Sequence, residues 1–277
     1  MLTTVGNAAS GDSVDGAGGN DILILADSDN TLSVANIETV IGGGGGNDVL
    51  FGDDGDDILS AGGGSFNDLV GGAGADTLIG GTGIDTAHYT LGSETEGVTV
   101  NLASGTGLGG EAEGDTLEEI ENIHGSIQDD TLIGDDGNNL LVGFAGVDEL
   151  AGDGGDDHLD GGEGEDFIAG GSGDDQLTGG ADNDAFLFNT GDQQASITDF
   201  LEGDEIILLG VTAVEFLSGG SIVGGFGGDR ITFDDGTGDG ITIDIVNQSL
   251  GSEGYTINEG TDGLHIALDN ALVVSGP

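Results

Sequence analysis

Cysteine, lysine and tryptophan are absent from this chain of 277 residues, and one basic side chain, Arg230, stands against 54 Asp and Glu. Without cysteine there is no disulfide framework and no thiolate metal site, which leaves carboxylate and carbonyl oxygen as the abundant ligand chemistry. Hard cations are the ions that chemistry suits. The formal charge of -53 has no internal counterweight. A surface that lacks Lys and Arg clusters repels nucleic acid phosphates and anionic membranes, so both are excluded as direct partners. Ten Phe and two Tyr are few for this length, and so much self-repulsion over so little apolar surface predicts disorder unless a cation intervenes. No apolar run reaches the length of a membrane span, and residues 1–10 show neither the basic nor the apolar region of a cleavable secretory signal. Enzyme signatures are missing as well. The four histidines, His88, His124, His158 and His265, are scattered and show no HExxH spacing. No GxSxG elbow occurs, and no twelve-residue EF-hand loop ends in Glu. Paired acids such as Asp56 and Asp57 follow from composition and assign no acid–base chemistry. No catalytic site is expected.

What the chain has instead is glycine, at 61 positions, and a period. Asp130, Asn139, Asp148, Asp157, Asp166, Asp175 and Asp184 recur every nine residues, and two residues after each stands an apolar side chain: Leu132, Leu141, Leu150, Leu159, Ile168, Leu177 and Phe186. Residues 161–169 (GGEGEDFIA) and 170–178 (GGSGDDQLT) both read GGxGxDxUx, with U a large apolar residue. The same nonapeptide appears earlier at Gly43, Gly52, Gly63, Gly71 and Gly80, with Asp48, Asp57, Asp68, Asp76 and Asp85 as the acids and an insertion over residues 62–66 that breaks the spacing. Counting back by nine from Leu50 gives Ile41, Leu32, Leu23, Val14 and Val5, all apolar, with Asp21 and Asp12 keeping the acid.

A fixed short period is the mark of a solenoid. The GGxGxD half needs glycine where a tight turn reaches positive φ and brings carbonyls close together. The xUx half is a short strand whose U side chain points inward. Two nonapeptides make one coil, and coils stacked at strand spacing set aspartates of alternate repeats above one another. Two carboxylates about 5 Å apart repel by roughly 3 kcal/mol at an effective dielectric near 20. A cation bound between them turns that conflict into a cross-link between coils.

These nonapeptides resemble the RTX, or hemolysin-type, calcium-binding repeats, whose fold is a right-handed parallel β-roll. The resemblance implies several bound Ca²⁺ ions, each held by position-six aspartates of two repeats and by carbonyls of their glycine turns. On this chain it implicates Asp48, Asp57, Asp68, Asp76, Asp85, Asp130, Asp148, Asp157, Asp166, Asp175 and Asp184, with Asp21 as an N-terminal counterpart and Asn139 a departure from the pattern. The carbonyls implied in the first roll are those of Gly43, Gly45 and Gly46, of Gly52, Asp54 and Gly55, of Gly71, Ala73 and Gly74, and of Gly80, Thr82 and Gly83. In the second roll they are those of Gly134, Asp136 and Gly137, of Ala145 and Gly146, of Gly152, Gly154 and Gly155, of Gly161, Glu163 and Gly164, and of Gly170, Ser172 and Gly173. Phe66 and Phe144 stand where turn glycines are expected.

The expected organisation is an all-β solenoid: degenerate coils over 1–42, a calcium roll over 43–90, inserted strands over 91–124, a second roll over 125–188, and a strand-rich C-terminal cap over 189–277. Residues 97–102 (GVTVNL) and 115–124 (DTLEEIENIH) read as strands continuing the sheet rather than as helix. Residues 197–208 (ITDFLEGDEIIL) resemble the segment after the last repeat in serralysin-type C-terminal domains. The family resemblance further implies export by a type I secretion route from a bacterial cell. With no catalytic residues in view, the expected function is a secreted, calcium-folded structural or surface protein that self-associates. The alternative is the C-terminal secretion and folding module of a larger exported enzyme or adhesin.

Overall fold

The computed structural model of the chain describes residues 2–4, 12–15, 22–24, 30–35, 39–42, 44–90, 95–189, 192, 194–201, 203–209, 220–225, 228–233, 241–245, 254–259 and 263–269. It forms two compact units, residues 1–134 and 135–277. Each is an all-β parallel solenoid with two sheets.

In the second unit the nine-residue period becomes geometry with no slip. Leu140–Ala145, His158–Glu163 and Asp174–Ala181 form one parallel ladder that sets Leu141 against Leu159 and Leu159 against Leu177. Glu149–Ala151, Phe167–Ala169 and Ala185–Asn189 form the other, with Leu150 against Ile168 and Ile168 against Phe186. One coil is therefore two nonapeptides. Strand side chains alternate between faces, so every U residue enters the space between the sheets, and all seven from Leu132 to Phe186 are at most 1% exposed. Each contributes about 1.5–3 kcal/mol of burial.

The first unit obeys the rule with slips. Leu32 pairs with Leu50 as the count of nine requires, but Val14 lies opposite Val34. Val40, not Ile41, is the buried residue of Thr39–Ile41. Coils there run seventeen residues from Leu23 to its partner Val40 and nineteen from Val40 to Leu59. Strand register is fixed by the buried side chain, whereas a turn absorbs one residue more or less. The insertion over 62–66 is such a case. The ladder between Gly63–Val70 and Thr82–His88 shifts register between Thr82 and Ile84, and beyond the bulge Asn67 lies opposite Asp85.

The strands read over 97–102 and 115–124 are present as Thr99–Asn101, Thr116–Glu118 and Asn122–His124, and helix is confined to the single turn Gly110–Ala112 among the described residues. Thr116–Glu118 pairs parallel with Thr77–Ile79, and Asn122–His124 with Thr82–His88. On the sheet of Thr116–Glu118 an antiparallel hairpin, Thr99–Asn101 with Thr106–Leu108, stands between that strand and Thr131–Ile133. Near the C-terminus Gln194–Ile197 and Glu205–Leu209 continue the parallel ladders. Ile241–Ile245 adds one more parallel strand beside Gln194–Ile197, and beyond it and Glu205–Leu209 the pairing turns antiparallel, through Gly263–Asp269 and Gly254–Glu259 on one sheet and Gly228–Phe233 and Gly220–Gly225 on the other.

Candidate metal centres

Position six begins each inward strand, and the structure buries its acid. Asp48, Asp57, Asp76, Asp85, Asp130, Asp148, Asp157, Asp166, Asp175 and Asp184 are all at most 5% exposed. Their carboxylates form files along the coils. The backbone N–H of Asp157 donates to Asp175 Oδ1 at 3.0 Å, that of Asp148 to Asp166 Oδ1 at 2.8 Å, and that of Asp166 to Asp184 Oδ1 at 3.0 Å. In the first unit Asp57 donates in the same way to Asp76 at 2.8 Å. One oxygen of each acid thus replaces a missing strand partner in the next coil.

The second oxygen has a different environment. Oδ2 of Asp76, Asp85, Asp157, Asp166 and Asp184 is buried and accepts no hydrogen bond. Position-one glycine lets it sit there. A methyl group on Gly152 would overlap Asp157 Oδ2 and lie 2.5 Å from the Gly170 carbonyl oxygen; on Gly161 it would overlap Asp166 Oδ2 and lie 2.8 Å from the oxygen of Gly179. Carboxylate and carbonyl oxygens therefore converge beside the first glycine of the turn. A buried acceptor left bare costs about 1–3 kcal/mol, more when charged. Hard oxygens, a shortage of basic residues and unsatisfied buried carboxylate atoms fit a Ca²⁺ ion. Among the described residues no three His, Asp or Glu side chains gather as a metal cluster, so an ion held here draws on turn carbonyls as well as on aspartates. The carbonyls of Ala73, Ser172 and Glu163 each accept one bond from the turn of the preceding coil, from Gly55, Gly155 and Gly146 respectively. A carbonyl has two lone pairs, which leaves one for an ion.

Burial also resists ionisation. It pushes the carboxyls of Asp157 and Asp184 up to about 7 and those of Asp166 and Asp175 to about 6; the hydrogen bond each accepts from the neighbouring coil opposes this and nearby carboxylates add to it. The folded chain thus takes up protons that the unfolded chain does not bind between about pH 7 and 4, so lowering the pH through that window stabilises the metal-free fold. That stabilisation is absent above about pH 7. In excess chelator, far-UV circular dichroism should show β-structure growing from about pH 7.5 to 5. A metal-free fold that weakens steadily over that range contradicts the burial of these acids.

Several expected ligands change role. Asp68 does not hold position six in its coil; Asn67 does, 1% exposed, accepting the Asp48 N–H at 2.9 Å and donating through Nδ2 to Asp85 Oδ1 at 2.7 Å. Asp68 falls one residue later and so on the opposite face of the strand, where His88 bonds it at 3.0 Å and lowers its carboxyl pKa. His124 stacks edge-on against His88 with ring centroids 4.6 Å apart, and burial carries its pKa down to about 4. Phe66 occupies position five opposite Ile84 rather than a glycine place, whereas Phe144 does sit at a turn position with φ 74°. Asn139 keeps the file, donating its N–H to Asp157 Oδ1 at 2.8 Å, while its own Oδ1 accepts from Asp135 N–H. Asp21 and Gly43 lie outside the described residues. The carbonyl-bearing residues Gly45, Gly46, Asp54, Gly74, Thr82, Gly83, Gly134, Asp136, Gly137, Gly154, Gly164 and Gly173 all lie in turns or at strand ends of the coils.

Three file members escape the sequence reading. Asp115 accepts the Asp76 N–H at 2.8 Å, Glu121 the Asp85 N–H at 2.8 Å, and Asp204 the Asp184 N–H at 3.1 Å. A signal for the first was present: residues 115–117 read DTL, as do 76–78 and 130–132.

A model of the RTX calcium-binding nonapeptide repeat matches in four copies, at residues 40–65, 66–88, 124–159 and 160–192. No curated protein is matched. Among solved structures, the chain is similar to the extracellular lipase LipA from Serratia marcescens, at 18% identity and a TM-score of 0.25, over 87% of this chain and 41% of that one. It spans less than half of that protein's length.

Proposed function

This chain is built on RTX calcium-binding nonapeptide repeats, and from that premise we propose that it is a non-catalytic structural protein of the bacterial exterior, wound by extracellular calcium and self-associating there. The observation that carries the reading is the row of buried, unsatisfied Oδ2 atoms on Asp76, Asp85, Asp157, Asp166 and Asp184. Sites that add few charges to neutral carbonyls belong with the weak extracellular class, filled at about 0.1–1 mM Ca²⁺. Such sites stay empty in a cell interior, where the chain remains loose and competent for a type I exporter, and fill outside, where binding free energy becomes folding free energy.

Self-association draws support from the second unit, where, among the described residues, Gly220–Gly225 and Gly254–Glu259 end their sheets with one strand neighbour each. An edge strand offers unpaired N–H and C=O groups to another chain. Electron microscopy of the native material in about 1 mM calcium should show ordered filaments or lattices. Dispersed monomers at calcium saturation, confirmed by sedimentation, remove self-association from the proposal. A calcium-dependent hydrolytic activity that one substitution abolishes removes its non-catalytic part.

A further inference from the structure

Not every buried position-six acid has a bare oxygen. Asp115 is 2% exposed, and its Oδ2 accepts a hydrogen bond from the hydroxyl of Tyr89, itself 2% exposed, at 3.2 Å. Its other oxygen takes the Asp76 N–H at 2.8 Å. Asp130 is satisfied more fully. Its Oδ2 accepts from Ser126 N–H at 2.6 Å, and its Oδ1 from Ser126 Oγ at 2.8 Å and Val98 N–H at 2.7 Å. Both acids close coils between residues 95 and 134, the stretch that also holds the antiparallel hairpin.

Two kinds of site are therefore interleaved in one pattern. At Asp157, Asp166 and Asp184 the second oxygen faces a glycine turn and lacks a donor. At Asp115 and Asp130 that oxygen has a protein O–H or N–H pointing at it. A position already filled by a donor proton repels a cation; burial still pushes the Asp115 carboxyl up to about 7 and raises that of Asp130, and the bonds from Tyr89 and Ser126 partly offset that burial where an ion would otherwise do so.

We propose that in the coils of Asp115 and Asp130 the Tyr89 hydroxyl and Ser126 take the place that calcium holds elsewhere, so that residues 95–134 keep their fold without metal. The inference rests on the calcium reading above, since it divides the position-six acids into ion-binding and self-satisfied sites. Within the first unit this block is the template on which metal-dependent coils wind when calcium arrives, because a preformed strand spares the next one the cost of starting a sheet.

Hydrogen exchange on the full chain in excess chelator tests it. Amides of residues 95–134, the Val98 N–H included, should exchange at least about tenfold more slowly than those of residues 148–184, the Asp148 and Asp166 N–H included. Tyr89→Phe should erase that difference around Asp115 in chelator. Asp115→Asn, which keeps an acceptor for Asp76 N–H and offers an N–H to the Tyr89 oxygen, should melt like wild type in saturating calcium, whereas Asp166→Asn should melt lower. Equal exchange of the two stretches in chelator, or equal melting losses for Asp115→Asn and Asp166→Asn, overturns the inference and leaves the calcium reading standing. Residues 148–184 that stay as protected in chelator as in calcium overturn the calcium reading itself, and the division of sites with it.

Discussion

Excess chelator at neutral pH should abolish most of the β-sheet circular dichroism of this protein, and about 1 mM Ca²⁺ should restore it. The effect is large because, among the described residues, the second oxygen of Asp76, Asp85, Asp157, Asp166 and Asp184 has no donor of the protein's own to stand in for the ion. The formal charge is -53 with one basic residue, and the files place carboxylates of successive coils one above another in the interior. Asp76, Asp85, Asp157, Asp166 and Asp184 each have a buried oxygen with no hydrogen-bond partner. Each site held at ten times its dissociation constant adds about 1.4 kcal/mol to folding, so several together equal the net stability of an ordinary domain, about 5–15 kcal/mol. The melting temperature should accordingly climb with calcium concentration. Magnesium should not substitute, since it gives up water reluctantly and demands an octahedral shell that adaptable turn carbonyls do not impose. Unchanged dichroism and melting after exhaustive chelation would sink the calcium account.

The fold was legible because two independent regularities coincide in the second unit: an acid every nine residues, and an apolar residue two places on. Where only one of them persists, the two regularities point to different residues. At Asn67 and Asp68 the acid draws attention to 68, but Leu69 stands two residues after 67, and nine residues before Asp76 lies Asn67. The buried leucine decides, because a strand shifted by one residue would turn its core side chain outward. Asp115 and Glu121 were hidden for the opposite reason: their D-x-U and E-x-U triplets persist while the GGxGx spacing before them has gone. The hydrogen bond that replaces a cation at Asp115 comes from Tyr89, twenty-six residues away in sequence. No local pattern announces a contact made by the folding of the intervening chain.

Two glycine substitutions in the same roll should have opposite consequences, and they separate the turn's backbone demand from its composition. Gly164, at position four, adopts φ +136°, and a Cβ there would overlap the carbonyl oxygen of Gly146 in the coil below. A side chain in that region of φ costs about 1–3 kcal/mol, and the collision is with backbone, which cannot turn aside as a side chain can; overpacking of this kind costs about 1–3 kcal/mol more. Gly164→Ala should therefore lose about 3 kcal/mol or more, read as a fall of about 6–12 °C in the melting temperature at saturating calcium. Gly154, at position three, would place its Cβ no closer than 3.4 Å to any neighbour, the nearest atom being Ser172 Oγ. Position three already holds Ala73, Ala145 and Ser172 in sister repeats. Gly154→Ala should be neutral or stabilising by about 0.4–1 kcal/mol, through the entropy it removes from the unfolded chain. The contrast matters because both glycines belong to one ion-binding pattern, and a purely compositional need for flexible turns would penalise them alike. Matching losses at the two positions would mean that close stacking of turn on turn is not what holds the coils in register.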